Sequence, residues 1–242
     1  MAIIGLLKIS FSTITETIHD LARKGLYKMS AATKLIVFDL DGTLNRTELF
    51  AVEVHRMLQT EFGWPAQSPE KITALFGAPA EEYMESLLPG SDEQTKQRYL
   101  KREAEVEYDY MHLAAAYDGC SQMLSVLREN GWETAVCSNS SFRYISMVLN
   151  ATGLMHQIDY IQPLEKGCTE KAQSLASLLS RIPHSAAVMV GDTIYDKQAA
   201  EANHIPFIGC RYGFRPTEME DVAHTVRTPV EIPALAEELC SQ

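Results

Sequence analysis

Residues 36–44 read Ile36-Val37-Phe38-Asp39-Leu40-Asp41-Gly42-Thr43-Leu44. The apolar run predicts a strand over 34–38 that is covered on both faces, as in a parallel sheet. Ligands of such sheets bind beyond the carboxyl ends of the strands, where Asp39 and Asp41 would lie. In extended backbone the two side chains would share a side, and Gly42 permits a sharp exit from the strand. Two carboxylates on one side repel each other unless a cation lies between them, so this segment predicts a reactive site.

Two other interpretations of this segment are an ordinary Asp-rich turn and a calcium-binding loop. A calcium loop of the EF-hand kind needs alternating oxygen ligands, a later glycine and a distant glutamate between two helices. Here Gly42 follows Asp41 at once and a strand precedes it, so that pattern is not met. The ordinary turn stays open on this segment alone.

The composition is that of a globular chain with ample core-forming residues, since 46% of its 242 residues are hydrophobic. A formal net charge of -11 argues against nucleic acid or an anionic membrane as a partner, because both need clustered lysine and arginine. The five cysteines are scattered without CxxC spacing, which predicts neither a disulfide framework nor a zinc site and favours a cytoplasmic location. The apolar start at 3–7 is too short for a membrane span and lacks the charged flank of a signal peptide.

The pattern along the chain predicts three parts. Residues 1–33 form an N-terminal extension with at most one short helix, for which Thr13 and Glu16 would supply a capping box. Residues 45–116 have helical periodicity with breaks at 63–65 and 89–90, which predicts an all-helical insert that acts as a lid. Residues 34–44 and 117–242 form the core, because helices and strands alternate from 117 onward as in a doubly wound α/β sheet. The later strands are predicted over 133–137, 158–162, 186–190 and 206–209.

Polar groups follow two of these later strands. Residues 138–141 are short hydroxyl and amide side chains that can donate to a phosphoryl oxygen, although such runs are also common in turns and helix caps. Asp192 and Asp196 follow the strand over 186–190 and would share a helical face. Acids at a helix start can simply favour the helix dipole, but their coincidence with Asp39 and Asp41 indicates a cation. Hard carboxylates without a His or Cys cluster select Mg²⁺.

Four segments, in this order, resemble the motifs of the haloacid dehalogenase-like hydrolase superfamily. They are Asp39-Leu40-Asp41-Gly42-Thr43, Ser138-Asn139, Lys171, and Gly191-Asp192-Thr193-Ile194-Tyr195-Asp196. The match covers residues 34–213, and Arg211-Tyr212-Gly213-Phe214 also resembles the phosphoglycolate-phosphatase-like branch. The resemblance implies an α/β fold with a Rossmann-like core and an inserted helical cap over 45–116. It also implies a Mg²⁺-dependent phosphatase that acts on a small phosphorylated metabolite.

The resemblance also implies the roles of individual residues. Asp39 would be the nucleophile that forms an aspartyl-phosphate, and Asp41 the general acid and then the general base. Mg²⁺ would be held by Asp39, the Asp41 carbonyl and Asp192, with Asp196 as a fourth acid that binds directly or through water. The phosphoryl group would be held by Ser138, Asn139, Gly42, Thr43 and Lys171. Lys166 is a rival of Lys171 for the site lysine.

Several alternatives stay open at this point. A phosphomutase would use the same two aspartates but return the phosphoryl group to a bound sugar, and a noncatalytic interaction module could retain the fold. A phosphonatase or dehalogenase is disfavoured because Asp41 is the acid that phosphate esters need. Residues 45–48 replace an Asp-Ser pair of many relatives, so phosphoglycolate, a sugar phosphate, a nucleotide and pyrophosphate all remain candidate substrates. The sequence does not choose between a monomer and a homodimer.

Overall fold

The computed structural model describes residues 33–78, 80–164 and 170–241. The predictions for the N-terminal extension and for Lys166 fall outside these residues. No helix in the described ranges is long and apolar enough to cross a membrane.

The centre of the fold is a six-stranded sheet in which every pairing is parallel. The strands are β1 (Thr33–Phe38), β2 (Trp132–Cys137), β3 (Tyr160–Gln162), β4 (His184–Gly191), β5 (Phe207–Cys210) and β6 (Thr225–Val226). Their order in the sheet is β3-β2-β1-β4-β5-β6. The chain therefore winds outward in both directions from β1, and the β1/β4 boundary is the switch point where such sheets bind ligands.

Nine α-helices lie in the described part of the chain. They are α1 (Glu48–Glu61), α2 (Pro69–Thr73), α3 (Ala80–Leu87), α4 (Glu93–Tyr110), α5 (Cys120–Glu129), α6 (Phe142–Ala151), α7 (Lys171–Arg181), α8 (Ile194–Ala202) and α9 (Ile232–Cys240). Alternate residues of β1 enter two separate hydrophobic clusters, with Ile36 and Phe38 in one and Leu35 and Val37 in the other. Because both faces of β1 are buried, the predicted doubly wound, Rossmann-like α/β fold is confirmed.

Between β1 and β2 the described chain forms helices α1 to α5, and α1, α3 and α4 share a cluster of buried side chains of their own. The cluster is formed by Val54, Leu58, Met84, Leu87, Leu88, Tyr99 and Val106. Ser68 and Asp92 cap the starts of α2 and α4, since each side chain accepts a hydrogen bond from a backbone N–H of the first turn. Phe50, Ile72 and Phe76 belong instead to the cluster that covers β1. The helical segment thus packs both on itself and on the sheet.

The structure corrects the predicted elements in three places. A sixth strand, β6, follows the segment that was predicted to be the last strand. β6 has two residues, too few for an alternating pattern to be recognised. The strand predicted over 158–162 begins only at Tyr160, after a 3-10 turn at Met155–Gln157. Helices α6 and α9 were not predicted.

Candidate active site

The carboxyl ends of three neighbouring strands bring the predicted site segments together. β1 lies between β2 and β4, with Phe38 in register with Val136 on one side and Val190 on the other. Asp39 follows β1 directly, and its N–H donates to the Val190 carbonyl at 2.8 Å, which fixes the backbone at this position. Ser138 and Asp192 occupy the equivalent positions after β2 and β4.

Three buried carboxylates form one cluster at this edge. Oxygen atoms of Asp39, Asp192 and Asp196 all lie within 4.8 Å of one another. Lys171, the first residue of α7, is also buried, and its ammonium donates to Asp39 Oδ1 and, at 2.5 Å, to Asp196 Oδ1. One ammonium leaves this cluster with two excess negative charges when all three acids are ionised. Hard oxygen donors with that charge fit a divalent cation such as Mg²⁺.

The electrostatics of the cluster support this fit. Burial raises the pKa of Asp39 to about 7 against the lowering effect of Lys171, and the charges of Asp196 and Asp41 add to the rise. Burial also raises the pKa of Asp192, with further contributions from Asp39 and Asp196. Burial alone would lower the pKa of Lys171, but the two carboxylates outweigh it and raise the pKa instead. A cation among these oxygens would favour their ionised forms.

Asp192 reaches the cluster because two glycines leave room for it. Gly42 has φ +89°, and a Cβ atom there would overlap the Asp192 carboxylate; the same overlap would arise at Gly213. The Asp192 Oδ2 atom accepts a hydrogen bond from the Phe214 N–H at 2.7 Å, and Thr43 Oγ1 lies 3.5 Å from Asp192 Oδ1. Gly42 and Thr43, predicted to bind phosphate, therefore lie directly beside the acid cluster.

The Asp196 side chain also forms hydrogen bonds at the start of α8. Its Oδ2 atom accepts hydrogen bonds from the Thr193 N–H at 3.1 Å and the Thr193 hydroxyl at 2.8 Å, which makes a capping box at the start of α8. Its Oδ1 atom is left to Lys171. Asp196 thus fixes the start of α8 and holds the site lysine in place.

The Asp41 carboxylate lies outside this cluster and has a different environment. Its Oδ1 atom accepts hydrogen bonds from the Thr47 hydroxyl at 2.5 Å, the Tyr144 hydroxyl at 2.9 Å and the Asn45 amide at 3.3 Å. Burial raises its pKa in spite of these donors. β1 ends at Phe38 and Asp41 forms an isolated bridge with Asn45, so the backbone is not extended through both acids, although the charge of Asp41 still acts on Asp39.

Ser138 and Asn139 differ in exposure. Ser138 is buried, and its hydroxyl accepts a hydrogen bond from the Ser140 N–H at 3.1 Å, whereas Asn139 is exposed. Both follow the strand next to Asp39, as predicted, and their phosphate-binding role stays a prediction.

Sequence reasoning missed the three side chains that hold Asp41. Asn45 and Thr47 lie in the segment that departs from the Asp-Ser pair of many relatives, so a signal was present there. Tyr144 lies 103 positions after Asp41, at the start of α6, and no local pattern connects the two. Its role depends on how α6 packs against the helical segment.

A parallel α/β sheet that gathers three acids and a buried lysine at the ends of adjacent strands has the fold and the groups of an enzyme active site, and comparison with known families gives the class. The family model described as haloacid dehalogenase-like hydrolase matches residues 36–210, so the chain belongs to this family. The resemblance read from the motifs is confirmed, and so is the prediction of an enzyme of this family.

Relatives of known name and structure give the same picture. The chain is 28% identical over 207 residues to a phosphoglycolate phosphatase of Pseudomonas syringae pv. tomato, which covers 80% of this chain and 76% of that protein. It is 27% identical over 192 residues to the "Probable phosphatase IndB" of Dickeya dadantii, which covers 76% and 84%. The structure of the haloacid dehalogenase-like hydrolase SP0104 of Streptococcus pneumoniae superposes with a TM-score of 0.74 at 18% identity, over 85% of this chain and 99% of that one. This last likeness concerns the fold alone.

Proposed function

We propose that the protein is a Mg²⁺-dependent phosphatase that hydrolyses a small phosphomonoester metabolite through an aspartyl-phosphate on Asp39. One observation carries the proposal: two aspartates one residue apart have opposite surroundings. Asp39 is paired with a buried ammonium inside an acid cluster, whereas Asp41 is held by three neutral donors outside it. Carboxyl groups with such different environments suit the separate roles of nucleophile and proton carrier.

In the first step a carboxylate oxygen of Asp39 attacks the phosphorus atom, and the bond from phosphorus to the alcohol oxygen breaks. Asp41, protonated, gives its proton to the departing alcohol. In the second step Asp41, now ionised, takes a proton from a water molecule that attacks the phosphorus, and the bond to Asp39 breaks to release phosphate. The three donors on Asp41 Oδ1 leave its other oxygen to move the proton.

Charge on the transferred group needs compensation. Lys171 is held beside Asp39 for this purpose, and Ser138, Asn139, Gly42 and Thr43 would supply further hydrogen bonds to the phosphoryl oxygens. Mg²⁺ would be held by Asp39, the Asp41 carbonyl and Asp192, with Asp196 as a further acid. When bound, the ion would offset the negative charge of the phosphoryl group and of the carboxylates around it.

The helical segment would act as a cap domain over residues 45–116, with 34–44 and 117–242 as the core domain. Contacts between the two support this. The ring of Phe76 packs edge-on against that of Phe214 with centroids 5.1 Å apart, and the Arg215 guanidinium donates to the Ala74 carbonyl at 3.3 Å. Asp39 and Lys171 are each 7% exposed, which suits a site that takes a small substrate and excludes bulk water.

Two further features suit this function. The relatives named as phosphoglycolate phosphatases support a small phosphorylated substrate. The four described cysteines are free thiols, which agrees with the reducing, cytoplasmic setting expected from the sequence. The choice between a monomer and a homodimer stays open.

The test is release of free phosphate from a panel of phosphorylated metabolites and one aryl phosphate. We expect turnover that is lost with a chelator, restored by Mg²⁺, and absent in Asp39→Asn. Glu105→Gln, on the exposed side of α4, is a suitable control and should retain activity. Hydrolysis that survives exhaustive chelation would contradict the metal-dependent site. Transfer between two positions of a sugar, without free phosphate, would instead support a phosphomutase.

A further inference from the structure

Helix α4 carries two glutamates near the groups that surround Asp41. Glu103 and Glu107 are four residues apart and so lie on one face of the helix. Both are partly buried, and neither is used in the mechanism above. They are candidates for contact with the part of the substrate that leaves as the alcohol.

The packing of α6 on α4 connects Glu107 to Asp41. Arg143 donates to the Ala104 carbonyl at 2.9 Å, which fixes the start of α6 against α4. The next residue, Tyr144, donates to Asp41 Oδ1 at 2.9 Å. Glu107 lies one turn after Ala104, so it faces the same junction. Burial raises the pKa of Glu107 to about 7, the charge of Asp41 adds to the rise, and Arg143 opposes it.

The histidine beside Glu103 adds no positive charge. His55 lies 3.3 Å from Glu103 Oε1 and hydrogen-bonds the hydroxyls of Tyr83 at 2.5 Å and Tyr99 at 3.0 Å. Burial lowers the pKa of His55 to about 3, so this imidazole is neutral. The cation that faces Glu107 is Arg143, and its side chain is exposed and already donates to a backbone carbonyl.

We propose that Glu107 is a specificity-determining residue that excludes leaving alcohols with a negative charge and favours those with a protonated amine. The proposal rests on the phosphatase function above and narrows its substrate class to amino-alcohol monophosphates. Phosphoglycolate, whose leaving alcohol carries a carboxylate, is then a poor substrate. A carboxylate at this position would be repelled by Glu107 and Asp41, and the exposed Arg143 already donates to the Ala104 carbonyl, whereas an ammonium group would neutralise part of the charge of the two acids.

Three monoesters of similar size test this idea, because their leaving groups differ mainly in charge. They are phosphoglycolate, hydroxyethyl phosphate and phosphoethanolamine. Above the Glu107 pKa of about 7, we expect kcat/KM to rise in this order. Glu107→Gln keeps the shape and removes the charge. It should raise the kcat/KM of phosphoglycolate relative to that of hydroxyethyl phosphate by roughly tenfold. It should lower the kcat/KM of phosphoethanolamine relative to that of hydroxyethyl phosphate.

Glu105→Gln is the matched control, since Glu105 is exposed on α4 and pairs with Arg102 at 3.2 Å. It makes the same charge change without facing Asp41, so both ratios should stay as in the wild type. A monoester that is not hydrolysed can be tested as a competitive inhibitor of aryl phosphate hydrolysis. Its inhibition constant then gives its place in the same order.

The outcomes separate this proposal from the proposed function. Phosphoglycolate as the preferred ester, or equal changes in Glu107→Gln and Glu105→Gln, would overturn the role of Glu107 and leave the phosphatase intact. Failure to hydrolyse every ester, including the aryl phosphate in Mg²⁺, would contradict the phosphatase itself.

Discussion

Asp39 and Asp41 are separated by one residue, yet their carboxylates belong to different networks. Asp39 shares Lys171 with Asp196, whereas Asp41 is held by Thr47, Asn45 and Tyr144. The turn at Gly42 supplies two of the donors on Asp41, because positive φ there redirects the chain and brings Asn45 and Thr47 back to the carboxylate. Each side chain thereby acquires the surroundings that one chemical role needs.

Asp192 and Asp196 should respond differently to loss of charge. Asp192→Asn removes a proposed direct ligand, so Mg²⁺ affinity should fall strongly. The free energy of unfolding without metal should not fall, since the substitution removes a carboxylate that is costly to bury. Asp196→Asn breaks the capping box with Thr193 and the pair with Lys171, and should lower the free energy of unfolding by about 1–2 kcal/mol or more. Calorimetric Mg²⁺ titration and urea unfolding in chelator measure the two effects.

The assignment of the direct ligand fails if Asp196→Asn weakens Mg²⁺ binding more than Asp192→Asn does. In that case the metal lies nearer to α8 than proposed.

For individual residues, the sequence predicted the clustered acids but not the side chains that hydrogen-bond Asp41. Asp39 and Asp192 could be predicted because each follows a strand, and Asp196 because it lies four residues after Asp192; neighbouring strand ends must meet at one edge of a parallel sheet. The donors on Asp41 could not, because Tyr144 is brought there by the packing of α6, which has no local signal. Thr47 required knowledge of the turn that follows Gly42.

Among the elements, the turn from β1 to α1 and the loop after β5 act together. Gly42 in the first and Gly213 in the second both leave space for Asp192, and Phe214 binds the same carboxylate through its N–H. The Phe214 ring also contacts Phe76 of the helical segment. The loop after β5 therefore contacts both the acid cluster and the helical segment between β1 and β2.

Two glycine variants separate backbone strain from the crowding of Asp192. Gly42 and Gly63 both have positive φ, +89° and +80°, so alanine at either costs about 1–2 kcal/mol in backbone strain. A Cβ at Gly63 meets nothing within 4 Å, whereas at Gly42 it would overlap Asp192. Gly42→Ala should therefore lose more stability than Gly63→Ala and also lose Mg²⁺ affinity, as measured by urea unfolding and calorimetry. Equal losses with unchanged Mg²⁺ binding would show that Gly42 serves only the turn.

The pattern of elements was predictable where the sequence carried a clear local pattern. The strands next to the site follow from short apolar runs, and α1 follows from apolar residues at helical spacing. β6 did not, because two residues carry no period, and the sequence predicted β3 too early because the apolar Ile158 precedes a segment that pairs with β2 only from Tyr160. The acid cluster depends on elements that were predicted, so these differences do not displace it, whereas Tyr144 lies on α6, which was not predicted.

For the whole molecule, the helical segment should limit what can reach Asp39. It packs on the sheet through Phe50, Ile72 and Phe76, and the acids below are buried. We expect a folded phosphoprotein to be a far poorer substrate than the best small ester, because its phosphoryl group cannot pass beneath the helices without displacing them. Phosphate release from both, and from a short peptide with the same phosphorylated residue, measures this. Turnover of the folded phosphoprotein at a rate comparable with the small ester would contradict the cap.

The separate roles of Asp39 and Asp41 are tested most directly by rapid-quench measurement of phosphoenzyme in two variants. Asp39→Asn lacks the anionic nucleophile, so no phosphoenzyme should form from any ester. Asp41→Asn keeps the nucleophile but cannot protonate the leaving group, which should slow phosphoenzyme formation from an alkyl phosphate by roughly 10² to 10⁴. An aryl phosphate, whose leaving group needs little protonation, should still form phosphoenzyme in Asp41→Asn and release it slowly. Phosphoenzyme on Asp39→Asn, or equal slowing of the aryl and alkyl esters in Asp41→Asn, would contradict this account.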